Sequence, residues 1–322
     1  MKISVALCTY NGERFLKAQL DSIFDQTLPV NEIIICDDGS TDQTEAILRE
    51  YQKKHPETVK IYINGKNLKS VKNFEKAISL CTGEIIFLCD QDDIWEKEKT
   101  KKFIKYFNEF PLIRAICSNG IIIDNDGNPV DQLTIWSIPK LLQEAGITVD
   151  YFNIIAFIEN IATGAGMAFR SSLRKDILPI PEKSGFHHDE WIALVSSHEN
   201  GFMFIEDQLL RYRVHDNQQV GGIGYKNTDS TRKKLIRHFD LFSGQKTFSQ
   251  YKKFLKRLSE SYQKHLELIS RPENIHTDIS EEIIQQCKEL FHFHRKKMKN
   301  KFPVRFFILT LADYFSKKRK IQ

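Results

Sequence analysis

The sequence predicts an α/β fold in which a mostly parallel central sheet carries helices on both faces, followed by a C-terminal helical extension. Strand-like and helix-like segments alternate from residue 3 to about residue 110, which is the pattern of parallel βαβ units. The strand-like segments are continuous apolar runs, as expected for strands that are covered on both faces. With 41% hydrophobic and 28% charged residues among 322, the composition excludes a disordered or collagen-like chain.

The individual elements follow from the spacing of apolar residues. We expect residues 3–9 to form the first buried strand, and residues 16–24 to form an amphipathic helix that Pro29 ends. The other predicted strands are residues 33–36, 59–63, 84–89, 114–123 and 166–169, with one or two more within 201–214. The other predicted helices are residues 71–81 and 188–197, and the chain is helical in pattern from about residue 225.

A further helix is predicted after the second strand. Ser40 or Thr41 can cap it, because short side chains with a hydroxyl group are favoured at that position. We expect its residues Ala46, Ile47 and Tyr51 to face the core.

Charge is distributed unevenly along the chain. The net charge is +5, but residues 222–322 carry 23 lysines and arginines against 10 aspartates and glutamates, a net of +13. The remaining 24 basic and 32 acidic residues give residues 1–221 a net of −8. This asymmetry predicts a first domain of residues 1–221 and a basic helical region of residues 222–322.

Two features predict a cytoplasmic, reducing environment. No apolar run approaches the ~20 residues that a membrane-spanning helix needs, and the first residues show no signal-peptide pattern. The six cysteines include no CxxC pair, and four lie in or beside apolar strands. We therefore expect them to be small core residues in a reducing compartment.

Polar clusters follow three of the predicted strands at the point where each strand ends. They are Thr9-Tyr10-Asn11, Asp37-Asp38 and Asp90-Gln91-Asp92-Asp93. Because ligands of parallel sheets bind beyond the carboxyl ends of the strands, we expect these clusters to converge on one rim.

The acidic clusters suggest ligands that carry phosphate or hydroxyl groups. Asp90, Asp92 and Asp93 repel one another, so folding them together is costly unless a cation lies there, and Mg²⁺ or Mn²⁺ would bridge them to phosphate oxygens. Asp37 and Asp38 can hydrogen-bond a base or a ribose. The alternatives are a solvated acidic turn for the first cluster and a turn with a helix cap for the second.

Two candidates lie later in the chain. Asp189, at a predicted helix start within residues 186–191, could be a general base whose pKa is raised by its aromatic neighbours. It could instead complement the helix dipole, or ligate a metal together with His187 and His188. His215, just after a strand, can complete a metal site or contact a phosphate, or simply be exposed.

Several common sites are absent from the sequence. It contains no GxxxxGK[ST] phosphate loop, no GxSxG nucleophile elbow and no zinc-type cysteine and histidine spacing. Gly164 and Gly166 lack the third glycine of a dinucleotide fingerprint and do not open the first βα turn.

Together, the motifs resemble glycosyltransferase family 2 over about residues 2–221. The matching segments are Thr9-Tyr10-Asn11-Gly12, Asp37–Asp42, Cys81-Thr82-Gly83-Glu84, Asp90-Gln91-Asp92-Asp93-Ile94-Trp95, Thr163–Phe169 and His188-Asp189-x-Trp191. The Asp-Gln-Asp-Asp-Ile-Trp form, with Tyr-Arg-x-His ending at His215, is similar to the bacterial rhamnosyltransferase-like subgroup. The resemblance implies the GT-A fold, which is Rossmann-like, and inversion at the anomeric carbon.

The resemblance also implies a role for each matched residue. Asp189 matches the catalytic base, with His188 where the family often has Glu, and Asp92 and His215 would hold Mn²⁺ or Mg²⁺. Gly164 and Trp191 would line the acceptor side. The residues that would hold the nucleotide are Thr9, Tyr10, Asn11, Asp37, Asp38, Asp90 and Gln91.

The expected reaction moves a sugar from a nucleotide-diphosphate sugar donor to a glycan or lipid-linked saccharide acceptor in cell-surface polysaccharide synthesis. By the subgroup resemblance, the first expectation for the sugar is rhamnose. A nucleotidyltransferase on the same fold would use the rim carboxylates but leave Asp189 without a task. A nucleic-acid-binding module has only the basic C-terminal region in its favour, so we expect no nucleic acid as a partner.

The C-terminal residues suggest a contact with membranes. Residues 302–315 are rich in apolar side chains and lie between lysines and arginines within residues 299–322. A helix on the anionic inner face of a membrane has this pattern, which would suit a lipid-linked acceptor. The alternative is a set of helices that pack on the catalytic domain and leave a solvated basic face.

Overall fold

The computed structural model of the chain describes residues 1–183, 185–215, 223–240, 244–270 and 278–316, together with Arg319 and Ile321. The strands are β1 (Ile3–Thr9), β2 (Glu32–Asp37), β3 (Val59–Ile63), β4 (Ile85–Cys89), β5 (Ile94–Trp95), β6 (Ala115–Ile123), β7 (Gln132–Thr134), β8 (Met167–Arg170), β9 (Phe202–Arg213) and β10 (Gly224–Lys226). The α-helices are α1 (Leu16–Phe24), α2 (Thr44–Lys54), α3 (Lys69–Leu80), α4 (Lys99–Glu109), α5 (Ile138–Glu144), α6 (Tyr151–Phe157), α7 (Arg174–Ile177), α8 (His188–His198), α9 (Asp229–Phe239), α10 (Phe248–Ile269), α11 (Asp278–Lys301) and α12 (Pro303–Ser316). The predicted domain boundary between residues 221 and 222 lies outside the described residues.

A single eight-stranded sheet organises the fold, in the order β3-β2-β1-β4-β8-β6-β9-β5. The first four strands are parallel, as are β6 and β9, whereas β8 runs antiparallel to both of its neighbours and β5 antiparallel to β9. The predicted α/β class with a mostly parallel sheet is thereby confirmed. Because β2 and β4 lie on opposite sides of β1, the strand order reverses there, which is where ligands bind in such sheets.

Alternate residues of the central strands enter hydrophobic cores on opposite faces of the sheet. In β2, Ile33 and Ile35 belong to the core that includes α1, α2 and α4, and Ile34 and Cys36 to the core that includes α3, α6, α8 and α10. All four side chains are fully buried. Burial on both faces explains why these strands read as continuous apolar runs.

The C-terminal helices share the second of these cores. Phe254, Leu258 and Tyr262 of α10 are buried in it, and α10 packs against α6 and α11. In addition, β10 pairs with β7 in a small antiparallel sheet. Helices α10 and α11 therefore pack against the rest of the fold, which was one of the two alternatives for the C-terminal region. Helix α12, in contrast, leaves a row of apolar side chains exposed.

Several local predictions differ from the structure. Helix α1 ends at Phe24, five residues before Pro29, and α2 begins at Thr44 with neither Ser40 nor Thr41 as its cap. The hydroxyl of Ser40 binds Asp37 instead, and the exposed Ala46 is not a core residue. Strands β5, β7 and β10 have only two or three residues each, which is too short for a periodic signal, and residues 201–214 contain one strand.

Five of the six cysteines lie in the two hydrophobic cores. All six cysteines are free thiols; Cys8 is half-buried and the other five are buried. In the part of the chain that the structure describes, no helix combines the length and the apolar character needed to cross a bilayer.

A buried carboxylate joins the four parallel strands at the edge opposite their carboxyl ends. Glu32, only 1% exposed at the start of β2, accepts hydrogen bonds from Ser4 Oγ on β1 (2.6 Å), from Lys60 Nζ on β3 (3.2 Å) and from Thr82 Oγ1 just before β4 (2.9 Å). Burial alone would raise the pKa of Glu32, but these hydrogen bonds outweigh it and lower the pKa to about 2.

We expect Glu32→Gln to lower the free energy of unfolding by about 2–3 kcal/mol at pH 7, because the amide cannot accept all of these hydrogen bonds. In the wild type, the contribution of the ionised carboxylate is complete above its unfolded pKa of about 4.5 and is lost as the pH falls toward 2. Urea unfolding at pH 7 and at pH 3 measures both effects.

The matched control is Glu45→Gln on the exposed face of α2, which should change the stability by less than about 0.5 kcal/mol. Equal stabilities of the Glu32→Gln variant and the wild type at pH 7 would contradict this role of Glu32.

Candidate active site

A cleft of about 880 Å³ opens at the carboxyl ends of β1, β4 and β9. Segments that precede β8 and α8 complete its walls. The predicted site residues that line it are Thr9, Tyr10, Asn11, Asp38, Asp90, Gln91, Asp92, Gly164, Asp189 and His215. Two predicted site residues, Asp37 and Trp191, do not line it.

Asp37 does not line the cleft because its carboxylate is bound by hydrogen bonds within the turn after β2. It accepts hydrogen bonds from Thr9 Oγ1 (2.7 Å), from the Gly39 N–H (3.0 Å), and from the N–H (2.8 Å) and hydroxyl (2.6 Å) of Ser40. Gly39 has a φ of +78°, which favours glycine at this point of the turn. Only the next residue, Asp38, reaches the cleft.

Two amide side chains fix the shape of the rim. The Tyr10 N–H donates to Gln91 Oε1 (2.8 Å), and Gln91 Nε2 donates to the Tyr10 carbonyl (3.0 Å), which fastens the loop after β4 to the loop after β1. A Cβ atom on Gly12 would lie 2.3 Å from Gln91 Oε1, so a larger residue at this position would displace the Gln91 side chain. Asn11 joins the same loop to the turn after β2 by accepting from the Thr41 N–H (2.8 Å).

Asp92 and His215 form a pair at the cleft, with His215 Nε2 2.9 Å from Asp92 Oδ2. Arg213 holds the loop that carries Asp92: its Nε donates to the Asp92 carbonyl (2.9 Å) and its N–H to Asp93 Oδ1 (2.9 Å). The Arg213 guanidinium also lies 4.5 Å from the ring centroid of Phe15, which contacts the His215 ring at 5.1 Å. The two potential ligands are therefore held by neighbours that are themselves fixed.

Negative charge accumulates at this end of β4. Burial, followed by the charges of Asp92 and Asp189, raises the pKa of Asp90 to about 7. Burial, followed by the charges of Asp92 and Asp90, raises the pKa of Asp93 well above its usual range, and among the described residues Asp93 Oδ2 has no hydrogen-bond partner. Such a cluster favours the arrival of a cation.

The residues present fit a divalent cation that is shared with a phosphate ligand. Among the residues that the structure describes, no group of three or more histidines, cysteines, aspartates and glutamates could hold a metal ion by itself. Mg²⁺, however, is usually bound by one or two carboxylates together with water and substrate phosphates. Asp92 and His215 offer one oxygen and one nitrogen ligand of this kind.

Lys99 is a buried cation that the sequence analysis did not identify. Its Nζ donates to the Ala165 carbonyl (2.6 Å) and lies 4.3 Å from the ring centroid of Trp95. Burial lowers the pKa of Lys99 to about 8, against the opposing effect of the acidic groups Cys89, Asp93 and Asp90. In the sequence, Lys99 stands among other lysines at the start of α4, and nothing there separates it from its exposed neighbours.

Asp189, in the first turn of α8, is held by three donors. Its Oδ2 accepts from the Gly164 N–H (3.0 Å), and its Oδ1 accepts from the Glu190 N–H (2.7 Å) and from Asn160 Nδ2 (3.3 Å). Burial raises the pKa of Asp189 to about 6, although these backbone hydrogen bonds act in the opposite direction. A carboxylate with this pKa is ionised at neutral pH and can accept a proton.

Two other residues of α8, His188 and Trp191, pack against neighbouring elements. His188 stacks on Phe74 at 3.9 Å between centroids, and within the described part of the chain neither of its ring nitrogens has a hydrogen-bond partner. Burial lowers the pKa of His188 to about 3, so its ring is neutral. Trp191, expected on the acceptor side, is fully buried and donates to the Ile177 carbonyl (3.0 Å), because two residues along a helix rotate the side chain away from the cleft.

Comparison with known proteins identifies the family of the chain. The family model described as Glycosyl transferase family 2 matches residues 4–178, more than half of the chain. An uncharacterized glycosyltransferase of Nostoc sp. is 27% identical over 67% of this chain and 65% of its own length. Chondroitin synthase of Escherichia coli is 28% identical over 58% of this chain but only 27% of its own length. The chain thus spans less than two thirds of each of these relatives.

Among solved structures, residues 1–349 of Staphylococcus aureus TarS, in complex with UDP-GlcNAc, have a similar fold. The TM-score is 0.53 at 16% sequence identity, and the superposition covers 92% of each chain. The family match includes the rim residues after β1, β2 and β4 but ends before α8 and β9, which place Asp189 and His215 at the cleft. The family match covers more than half of the chain, and the cleft lies where the strand order of the sheet reverses. This chain therefore belongs to glycosyltransferase family 2.

Proposed function

We propose that this chain transfers a sugar from a nucleoside-diphosphate sugar to a hydroxyl group of a glycan or lipid-linked saccharide, with inversion of the anomeric carbon. The observation that carries the proposal is the cleft itself, which contains both the Asp92–His215 pair and the carboxylate of Asp189. The first suits a diphosphate leaving group and the second suits the deprotonation of a hydroxyl group. Membership of the family supports sugar transfer, and we propose synthesis of a cell-surface polysaccharide as its setting.

The donor's nucleotide would lie over the rim at β1, β2 and β4. Asp38 is held at the cleft by Asn64 Nδ2 (2.7 Å) and the Leu68 N–H (3.0 Å), so its carboxylate is oriented for a base or a ribose. Asp37 would act indirectly, by fixing the turn that presents Asp38. The other residues that we assign to the nucleotide are Thr9, Tyr10, Asn11, Asp90 and Gln91.

Asp92 and His215 would hold Mn²⁺ or Mg²⁺ beside the diphosphate. When bound there, the cation would neutralise the charge that the diphosphate gains as its bond to the sugar breaks. Asp90, whose pKa is raised to about 7, would be ionised more readily near the cation. Arg213 keeps Asp92 in place by binding its carbonyl oxygen.

Asp189 would take the proton of the acceptor hydroxyl. The acceptor oxygen then forms a bond to the anomeric carbon while the bond from that carbon to the diphosphate oxygen breaks, and this single displacement inverts the centre. Removal of the proton by a positioned carboxylate typically contributes a factor of ~10²–10⁴ in rate. The N–H of Gly164 and the amide of Asn160 orient this carboxylate and place their segment beside the acceptor.

We further propose that the transferred sugar is rhamnose, donated as deoxythymidine-diphosphate rhamnose. This assignment is supported by the Asp-Gln-Asp-Asp-Ile-Trp form of the acidic cluster at residues 90–95. Within the proposal, residues 1–221 form the catalytic domain, and residues 222–322 form a basic helical region that shares its core.

The test of this function is the product that leaves the donor. With Mn²⁺ and a panel of nucleotide sugars, the wild type should release a nucleoside diphosphate, because the bond that breaks is the one to the anomeric carbon. Release of pyrophosphate from nucleoside triphosphates would instead show a nucleotidyltransferase and contradict the proposal.

In the same assay, Asp189→Asn should bind the donor within about twofold of the wild-type affinity, but lower the transfer rate by at least ~10²-fold, because the amide cannot accept the proton. The control is Asp25→Asn, an exposed substitution that should leave both quantities unchanged. Near-normal turnover by the Asp189→Asn variant would refute its assignment as the base.

Asp92→Ala should remove the metal dependence of transfer together with the activity. The variant loses the oxygen ligand that pairs with His215, so titration with Mn²⁺ should no longer increase the rate or the donor affinity. Asp126→Ala, in the exposed turn after β6, is the matched control. Full wild-type activity in the presence of a chelator would rule out the metal role.

The exposed face of α12 supports a proposal about the acceptor. Val304, Phe307, Ile308 and Leu311 are between 49% and 72% exposed, and their spacing places them on one side of the helix. The exposed Lys299, Lys301 and Arg305 flank this row, and a basic segment follows it in the sequence.

We propose that this face lies on an anionic membrane surface, at the inner leaflet, where a lipid-linked acceptor would be available. The positive charges complement anionic lipid headgroups, each basic residue contributing about 1 kcal/mol near the surface. Two copies of the same basic face would repel each other, which disfavours self-association as the way to cover it.

The expected result is co-sedimentation with vesicles that contain phosphatidylglycerol, decreasing with salt, and at least tenfold weaker binding by the double variant Phe307→Glu/Ile308→Glu. Leu112→Glu is the control, because Leu112 is 86% exposed on the loop before β6 and lies outside this face. Unchanged vesicle binding by the double variant would contradict the membrane contact. The contact would also be contradicted if the wild type formed a dimer and the double variant lost that dimer but still bound vesicles.

A further inference from the structure

Helix α10 reaches the first turn of α8 through one lysine. Lys264 Nζ donates to Glu190 Oε1 (2.6 Å) and lies 5.4 Å from the ring centroid of Phe186. The two partners stand on either side of the segment that contains Asp189. A single cation from the C-terminal region therefore contacts both flanks of the proposed base.

Glu190, the partner of Lys264, affects the proposed base Asp189 in two ways. The N–H of Glu190 donates to Asp189 Oδ1 (2.7 Å), so the position of Glu190 sets one of the hydrogen bonds of the base. The Glu190 carboxylate is only 9% exposed, and its negative charge opposes the ionisation of Asp189. Without a countercharge, Glu190 would make Asp189 a weaker acid and leave it protonated at higher pH.

The same helix supports the second donor segment of the base. Ser261 Oγ of α10 donates to the Ala156 carbonyl in α6 (2.7 Å). Helix α6 leads into the loop in which Asn160 donates to Asp189. One face of α10 thus contacts both segments that orient this carboxylate.

Few groups near Asp189 can balance its charge. On its own turn it interacts with His187, which lowers its pKa, and with Glu190, which raises it. The groups that face it from the strands are acidic: Asp90, Cys117 and Tyr212. By neutralising Glu190, Lys264 can therefore favour the ionised form of Asp189.

We propose that Lys264 is a positioning residue for the transfer reaction: it neutralises Glu190 and fixes the turn of residues 186–190, so that Asp189 stays ionised and oriented at neutral pH. The inference rests on the proposed role of Asp189 as the base. It gives the C-terminal region, which lies beyond the family match at residues 4–178, a part in the chemistry.

The test is the pH dependence of Lys264→Met, which keeps most of the side-chain length and removes the charge. In the wild type, kcat/KM should fall as the pH decreases through about 6, because Asp189 must be deprotonated to act. In Lys264→Met this midpoint should rise by about one pH unit. The rate should then be about twofold below wild type at pH 7, about fivefold below it at pH 6, and close to it at pH 8.5.

Three variants separate the charge from the fold. Lys264→Arg should keep the wild-type midpoint, and adding Glu190→Gln to Lys264→Met should return the midpoint to near 6. Lys256→Met, also on α10 but paired with Glu260 at the surface, should behave as wild type. A loss of rate that is equal at every pH, with an unmoved midpoint, would overturn the proposal and show that Lys264 only supports the fold.

A second readout does not depend on turnover. The carboxyl carbon of Asp189 can be titrated by NMR in ¹³C-labelled protein, with Asp189→Asn used for assignment. If no donor gives transfer but Lys264→Met raises this titration midpoint, the proposed function fails while the effect of Lys264 on Asp189 stands. An unchanged midpoint in this titration would overturn the inference whatever the activity.

Discussion

The crowding of carboxylates at one edge of the sheet is the constraint on which the rest of this site depends. Asp90, Asp92 and Asp93 follow the same buried strand, and the charge of Asp189 also acts on Asp90. The positive charges of Lys99 and Arg213 offset part of this negative charge. What remains is a negative site that is open to the cleft, and the divalent cation that we propose there would supply the missing positive charge.

Hydrogen bonds from side chains to the backbone hold the rim in shape. The Gln91 side chain binds the backbone N–H and carbonyl of Tyr10, the Asn11 side chain accepts from the Thr41 N–H, and Asp37 closes the turn on which Asp38 stands. Each of them stabilises the position of a neighbour that faces the cleft. Preorganisation of this kind means that binding a donor requires little rearrangement of the loops.

The sequence predicted the parts of the fold that have strong local signals, and it missed the parts that depend on tertiary contacts. The strands β1, β2 and β4 were predictable because both faces are buried, and the polar residues at their ends were predictable from topology. No local sequence pattern indicates that the Asp37 carboxylate is bound within its own turn, that Trp191 points into the core or that Lys99 is buried. Each of these depends on which partners the folded chain brings within reach, and the pairing of Lys264 with Glu190 joins residues 74 positions apart.

The direction of β8 has a consequence for how such a protein can change over time. Because β8 runs opposite to β4, the chain enters the sheet at the very edge where β4 leaves it, and the segment around Gly164 arrives beside the acidic cluster. The preceding residues, from the turn after β6 through α6, form an excursion that starts and finishes at paired strands. Insertions and replacements within that excursion can therefore remodel the wall that we assign to the acceptor while the carboxylates after β4 keep their places. The proposed choice of acceptor could then diversify separately from the proposed binding of the nucleotide.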